Sequence, residues 1–268
     1  MLLAVDVGNT AMSIGVYDGK DLRAEWSVAT DRSKTHDEYG LLFRDLIEHQ
    51  GFRVSDVTAA AIASSVPPVI QTLDWMCQKY FGLKPLIIGP GVRSGMVIRY
   101  DNPREVGADR ITIAVAAYEK YGGPLIVADF GTATILDVIS REGEYLGGVI
   151  APGVAVSAEA LFQQAAKLPR IDLTKPDSVL ARNTVHSMQS GIIYGYAGQV
   201  EELIRRLIEE LGKTAAGIRV VATGDYARLL VPETESISSI DPYLALDGLR
   251  IIYERNQTRG GGANAAGN

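Results

Sequence analysis

Cysteine is almost missing from this sequence. Cys77 stands alone among 268 residues, so the chain can close no internal disulfide and build no cysteine-ligated metal site. A reducing compartment suits that composition. Cys77 falls in the apolar-periodic stretch 73–81 and reads as a core thiol. Histidine is scarce too: His36, His49 and His186 lack metal-ligand spacing, and neither a Ser-His-Asp order nor a Cys-His pairing offers hydrolase chemistry a foothold. No apolar run approaches the roughly 18 residues of a membrane span. The apolar start is interrupted by Asp6 with no basic segment ahead of it, unlike a secretory signal. The expected location is cytoplasmic, with no membrane partner. Positive charge is also in deficit, with 26 Lys and Arg against 32 Asp and Glu and a net charge of −6. That balance argues against nucleic acid as a partner and favours small molecules and metal ions.

What the sequence does have is a pattern that occurs twice. Ala4-Val5-Asp6-Val7-Gly8-Asn9-Thr10 returns in altered form as Val127-Ala128-Asp129-Phe130-Gly131-Thr132-Ala133. Each copy is an apolar run, then an Asp, then a Gly two residues on with a small polar neighbour. Such a strand end sets a carboxylate beside a tight glycine turn, whose amides and hydroxyls can approach a phosphate unobstructed. The two Asp residues lie about half the chain apart, and each is followed by strand, hairpin turn and strand, with turns at Asp18-Gly19-Lys20 and Arg141-Glu142-Gly143. A duplication of this kind predicts two related domains, 1–115 and 116–256, with a nucleotide cleft between them and a disordered glycine- and alanine-rich tail at 257–268.

Other elements follow from periodicity. Thr35-His36-Asp37-Glu38 reads as a capping box opening a helix with Tyr39, Leu42, Phe43, Leu46 and Ile47 on one face. A strand is expected over 57–64, a helix over 67–80 and a strand over 84–88. A helix led by Gly107-Ala108-Asp109-Arg110 should run to about Tyr121. Residues 167–183 carry prolines and charges without a clear period and read as a loop or lid. Beyond Val185 a long helix carries Val200, Leu203, Ile204, Leu207, Ile208 and Leu211 on one face and stops at Gly212; a strand at 218–222 and a helix at 242–255 complete the order. Strands interleaved with helices indicate an α/β protein with mixed sheets flanked by helices.

Four motifs carry a more specific resemblance: Asp6-Val7-Gly8-Asn9-Thr10, Gly107-Ala108-Asp109-Arg110, Asp129-Phe130-Gly131-Thr132-Ala133-Thr134, and Gly147-Gly148-Val149-Ile150-Ala151-Pro152-Gly153. In that order and at that spacing they resemble type III pantothenate kinase, within the acetate and sugar kinase, chaperone and actin superfamily. The resemblance implies two actin-like, ribonuclease H-like domains. It also implies transfer of the ATP γ-phosphoryl group to the primary hydroxyl of pantothenate, the first step of coenzyme A synthesis. Relatives described as Bvg accessory factor-like regulators, and kinases of other hydroxylated small molecules, are the alternative readings. The three carboxylates Asp6, Asp109 and Asp129 favour catalysis, since a pure scaffold has no need of them.

Roles follow from the chemistry and the resemblance together. Phosphoryl transfer depends on positioning and charge neutralisation. Asp6 suits Mg²⁺ or another divalent cation, bound through water. Gly8, Asn9 and Thr10 would offer donors to the ATP phosphates, within a binding stretch that includes Val7, Ala11, Met12 and Ser13; Gly131 and Thr132 would serve from the second copy. Asp109 is the expected general base, with Arg110 beside it to bind an anion. The resemblance further implies that Asp129 binds a monovalent cation, K⁺ or NH₄⁺. It also implies that Tyr100, Gly107, Ala108, Asp109, Arg110 and Thr184 bind pantothenate, Thr184 reaching into the partner's site of a homodimer. Where the family has Thr-Gly-Gly after its last strand, this chain has Thr223-Gly224-Asp225, expected near the adenosine.

Overall fold

The computed structural model describes residues 1–257, so the expected tail lies outside the described residues except for Gln257. Two compact units emerge. The first takes in Met1–Met96 and Asn102–Ala116. Its sheet joins β1 (Leu2–Val7), β2 (Ala11–Asp18), β3 (Asp21–Ala29), β4 (Ala59–Ser64) and β5 (Leu86–Ile87) in the order β3-β2-β1-β4-β5. β1 runs antiparallel to β2 and parallel to β4. The alternate residues Leu3, Val5 and Val7 of β1 and Met12, Ile14 and Val16 of β2 turn to one face, as a period of two requires, and are buried. Helix α1 (His36–His49) covers them with Tyr39, Phe43 and Ile47, one turn apart. Its start is the expected capping box: Thr35 Oγ1 accepts from the Glu38 amide, and the Glu38 carboxylate accepts from the Thr35 amide at 2.7 Å. Helix α2 (Pro67–Met76) ends earlier than its periodicity predicts. It gives way to a π-helical turn, Cys77–Phe81, closed by Gly82 at φ +66°. Cys77 is buried here, and burial pushes its thiol up to about 12. Helix α3 (Ala108–Tyr121) begins in this unit.

The second unit comprises Val97–Asp101 and Ala117–Tyr243. Its strands are β6 (Val97–Ile98), β7 (Leu125–Phe130), β8 (Ala133–Ile139), β9 (Glu144–Pro152), β10 (Arg219–Thr223) and β11 (Ser239–Ile240), in the order β11-β10-β7-β8-β9-β6. Read from the other edge, this is the first sheet again, with β7 antiparallel to β8 and parallel to β10, and β6 added outside β9. β1 and β7 share even their burial: both are six residues long, with four buried residues, a half-buried Asp and a buried residue. Helices α4 (Val154–Gln164), α5 (Thr184–Leu211) and α6 (Ala227–Leu230) belong to this unit. Val200 and Ile204 of α5 are buried against Ile126, Ala128 and Phe130 of β7, while Leu203, Leu207, Ile208 and Leu211 flank them. Residues 165–183 carry neither helix nor strand. The chain then returns to the first unit with α7 (Leu244–Gln257). There Tyr17 donates to Asp247 at 2.9 Å, and a Cβ on Gly248 would lie 2.0 Å from the Thr112 carbonyl oxygen. Each unit is thus a mixed sheet flanked by helices, and the second repeats the first as the duplicated sequence pattern predicts. No helix among the described residues is long and apolar enough to cross a membrane.

Candidate functional site

In the first unit Asp6 lies one residue from the end of β1, half-buried, opposite Ser13 of β2 and Ala63 of β4. The connection to β2 is tight, since the Gly8 amide donates to the Ala11 carbonyl at 3.0 Å and a Cβ on Gly8 would sit 2.9 Å from that oxygen. Asn9 and Thr10 are pushed outward and are exposed. Val7 and Met12 turn their side chains into the core, which leaves only their backbone to a ligand, whereas Ser13 is exposed.

Side chains from elsewhere in the unit brace this loop. Thr30 donates its hydroxyl to the Gly8 carbonyl at 2.8 Å and its amide to the Thr10 carbonyl at 2.9 Å. Ser65 donates amide and hydroxyl to the Val7 carbonyl. Arg32 donates from Nη2 to Asn9 Oδ1 at 3.1 Å. These contacts join segments twenty or more residues apart, and only their Thr and Ser content, typical of turn-bracing hydroxyls, marks them in the sequence.

Asp109 occupies the first turn of α3. Its Oδ1 accepts from the Arg110 amide at 2.9 Å. A Cβ on Gly107 would lie 2.3 Å from that same oxygen, so the glycine is what gives the carboxylate its place. Arg110 is buried and Ala108 half-buried. The motif Gly107-Ala108-Asp109-Arg110 therefore sets a carboxylate and a buried guanidinium on one helix start.

The second unit repeats the strand end with different support. Asp129 is half-buried on β7, paired with Ile135 and Thr223. The Gly131 amide donates to the Ala133 carbonyl at 3.0 Å, closing a turn one residue shorter than its counterpart. Two glycines wall it in. A Cβ on Gly153 would stand 2.3 Å from the Thr132 carbonyl oxygen and 2.5 Å from that of Gly131. Gly224, at φ +90°, leaves a cradle under the Asp129 carboxylate that its own Cβ would fill, 2.4 Å from Oδ1. Asp225 is exposed, and no non-glycine residue among those described has positive φ, so this position does not demand a third glycine. Tyr100 packs on the adjacent sheet, its ring 6.4 Å from that of Tyr145 and against Gly147, which is at φ +121°. Thr184 begins α5; the cap is Asn183, whose Oδ1 accepts from the His186 amide at 2.8 Å. Residues 183–187 are all exposed, leaving the Thr184 hydroxyl available.

Among the described residues no three His, Cys, Asp or Glu side chains gather into a metal cluster. Single carboxylates such as Asp6 fit a magnesium ion that keeps its waters and takes its other ligands from phosphates. At Asp129 the space that Gly224 leaves presents a single carboxylate oxygen, Oδ1, beside the Phe130 backbone.

The sequence model described as type III pantothenate kinase matches residues 2–206. A chain named type III pantothenate kinase 2, from Symbiobacterium thermophilum, is 64% identical over 263 residues, which is 97% of this chain and 100% of that one. A type III pantothenate kinase of Geobacter sulfurreducens is 52% identical, covering 96% and 100%. Among solved structures, one described as a Baf family transcriptional activator from Campylobacter jejuni superposes with a TM-score of 0.58 over 96% of this chain and 99% of its own. At 19% identity that likeness bears on the fold alone. By family match and by near-full-length identity, the chain belongs to the type III pantothenate kinase family.

Proposed function

We propose that the chain transfers the γ-phosphoryl group of ATP to the primary hydroxyl of pantothenate, giving 4′-phosphopantothenate and ADP in the first step of coenzyme A biosynthesis. The observation that carries this reading is the near-full-length identity to chains named for that activity. The geometry supplies roles that suit it. Asp109 accepts the hydroxyl proton as the pantothenate oxygen bonds to phosphorus and the bond from phosphorus to the ADP oxygen breaks. Arg110 binds an anion, either the substrate carboxylate or the moving phosphoryl group. Asn9 and Thr10 hold ATP phosphates with amides and side-chain donors on the turn that Gly8 closes, Val7, Ala11 and Met12 contribute backbone, and Ser13 adds a hydroxyl. Thr132 adds donors from the second loop, on the turn that Gly131 closes.

Asp6 holds Mg²⁺ through water and Asp129 holds K⁺ or NH₄⁺. When bound, these cations offset charge on the phosphates. Tyr100, Gly107 and Ala108 line the pantothenate site. The active form is a homodimer in which Thr184 reaches the partner's pantothenate. Supporting that, the second unit exposes Leu146 and Ile150 of β9, Val156 and Leu161 of α4, and Leu180 and Val185 around the start of α5, an apolar surface suited to burial against another copy. We place the enzyme in the cytoplasm, where a buried, unreactive Cys77 stays reduced.

A coupled ADP-release assay with pantothenate, Mg²⁺ and ATP, run in K⁺ and again in Na⁺, tests the reaction. Pantothenate-dependent release stimulated by K⁺ is the expected result. No pantothenate-dependent release in either salt would reject the reading.

A further inference from the structure

We propose that Arg32 is an additional nucleotide-phosphate-binding residue, held over the Gly8–Thr10 loop by Asn9. The inference rests on the reading of that loop as an ATP site, and it concerns a side chain outside the four motifs.

The segment carrying Arg32 is built without its help. Tyr39, fully buried, donates its hydroxyl to the Asp31 carbonyl at 2.8 Å and accepts from the Asp31 amide at 3.0 Å. Thr30 bonds to both ends of the loop, Ser33 donates to the Asp31 carboxylate from amide and hydroxyl, and Thr35 caps α1. Those Ser33 bonds hold Asp31 below the usual carboxylate range. The backbone on either side of Arg32 is therefore fixed by other groups, and its guanidinium is free for something else.

That guanidinium is exposed, and among the described residues its one hydrogen-bond partner is the neutral Asn9 amide, with no carboxylate paired to it. In a chain of net charge −6, an arginine left without an acid beside a glycine turn is a concentrated positive site. Of five N–H donors the contact engages one, leaving a planar fork that matches phosphate oxygens. The contact also fixes Asn9. A guanidinium has no acceptor, so Asn9 must turn Oδ1 towards it, which aims the Nδ2 donors elsewhere. One bond thus orders a cation and an amide donor on the same exposed loop, both suited to the charge of a polyphosphate.

The test is calorimetric titration of the full-length protein with ADP and with adenosine, alongside steady-state turnover, for wild type, Arg32→Gln, Arg32→Lys and Lys34→Gln. Arg32→Gln keeps a donor for Asn9 but loses the charge. ADP affinity should fall about 10- to 100-fold, adenosine affinity and the melting temperature should not move, and Arg32→Lys should recover part of the loss. Lys34, whose ammonium lies 5.6 Å over the Tyr39 ring, is the neighbouring cation; its removal should change ADP affinity by less than about twofold. Unchanged ADP affinity in Arg32→Gln, or equal losses for ADP and adenosine, overturns the inference while leaving pantothenate turnover by wild type intact. Wild type that binds ADP in an Arg32-dependent way yet never phosphorylates pantothenate supports the phosphate contact and sinks the kinase reading instead.

Discussion

β1 and β7 are near-copies in length, burial and pairing, yet the turns that follow them are held by opposite means. The turn after β1 is one residue longer, exposes Asn9 and Thr10, and is braced by side-chain donors from Thr30, Arg32 and Ser65. The turn after β7 is walled in by the backbone at Gly153 and Gly224. The first turn leaves Asn9 and Thr10 open to solvent, whereas the second, packed against glycines, has no room for an added Cβ. One duplicated scaffold thus carries an open, side-chain-braced turn in one copy and a glycine-walled turn in the other.

The contrast extends to the 14-residue helices α3 and α7. Each carries an Asp in its first turn, but Asp247 accepts from the buried Tyr17 hydroxyl while Asp109 sits in space cleared by Gly107. Asp109→Asn should therefore lower turnover by about 10² or more with no change in melting temperature. Asp247→Ala should do the reverse, removing about 1–3 kcal/mol of stability and sparing turnover, because it takes the carboxylate acceptor from a buried hydroxyl. Turnover near wild type in Asp109→Asn would remove the distinction between the two helices.

The glycine walls make the next test. Gly224→Ala combines positive φ with a Cβ 2.7 Å from the Phe130 backbone, and should cost about 3 kcal/mol in chemical denaturation. Gly8→Ala meets one oxygen at 2.9 Å without positive φ and should cost about 1 kcal/mol. Equal losses would mean that the two turns are equally tight. The ion assignment offers a smaller effect. Asp129→Ala should abolish a K⁺ over Na⁺ stimulation of about tenfold, whereas Asp6→Asn should raise the Mg²⁺ requirement and leave the K⁺ response in place. A K⁺ response that survives in Asp129→Ala puts the cation elsewhere.

Much of this duplication was legible in the sequence because its signal is local. The Asp-x-Gly repeat, the Thr35 capping box and the apolar face of α5 each lie within a few turns of chain, and each appears as expected. The rest depends on distant partners or on elements too short for periodicity. β6 and β11 are two residues long and carry no pattern. Apolar periodicity runs unbroken from α2 into the Cys77–Phe81 turn, so nothing announces the π-helical change. The last helix is plain in its spacing, but no local rule says that it returns to the first sheet. Arg32 and Asn9 are separated by 23 residues, so only the fold makes them neighbours.

The smallest predicted effect compares two copies of one ion cluster. In the first unit the Asp37 carboxylate accepts from Lys79 Nζ at 2.7 Å and from the Tyr80 hydroxyl at 2.9 Å; in the second, Asp241 accepts from Lys120 at 2.6 Å and Tyr121 at 2.8 Å. Lys-Tyr grips an Asp both times, but Asp37 is open to water and Asp241 is buried. Burial alone would raise the Asp241 pKa. The Lys120 and Tyr121 bonds overcome it and hold the group below its ordinary value. A carboxylate depressed in the folded state contributes stability above its unfolded pKa and loses it as pH falls through the folded one. Asp241→Asn should therefore reduce stability by about 1 kcal/mol at neutral pH and flatten the acid limb of the stability profile. Asp37 is also depressed, first by its Lys79 bond, but solvent and salt screen that pair, so Asp37→Asn should leave the melting temperature unchanged. Melting curves for both variants from neutral pH down to the carboxylate range decide it. Identical acid limbs in the two variants would show that burial does not set the worth of these clusters.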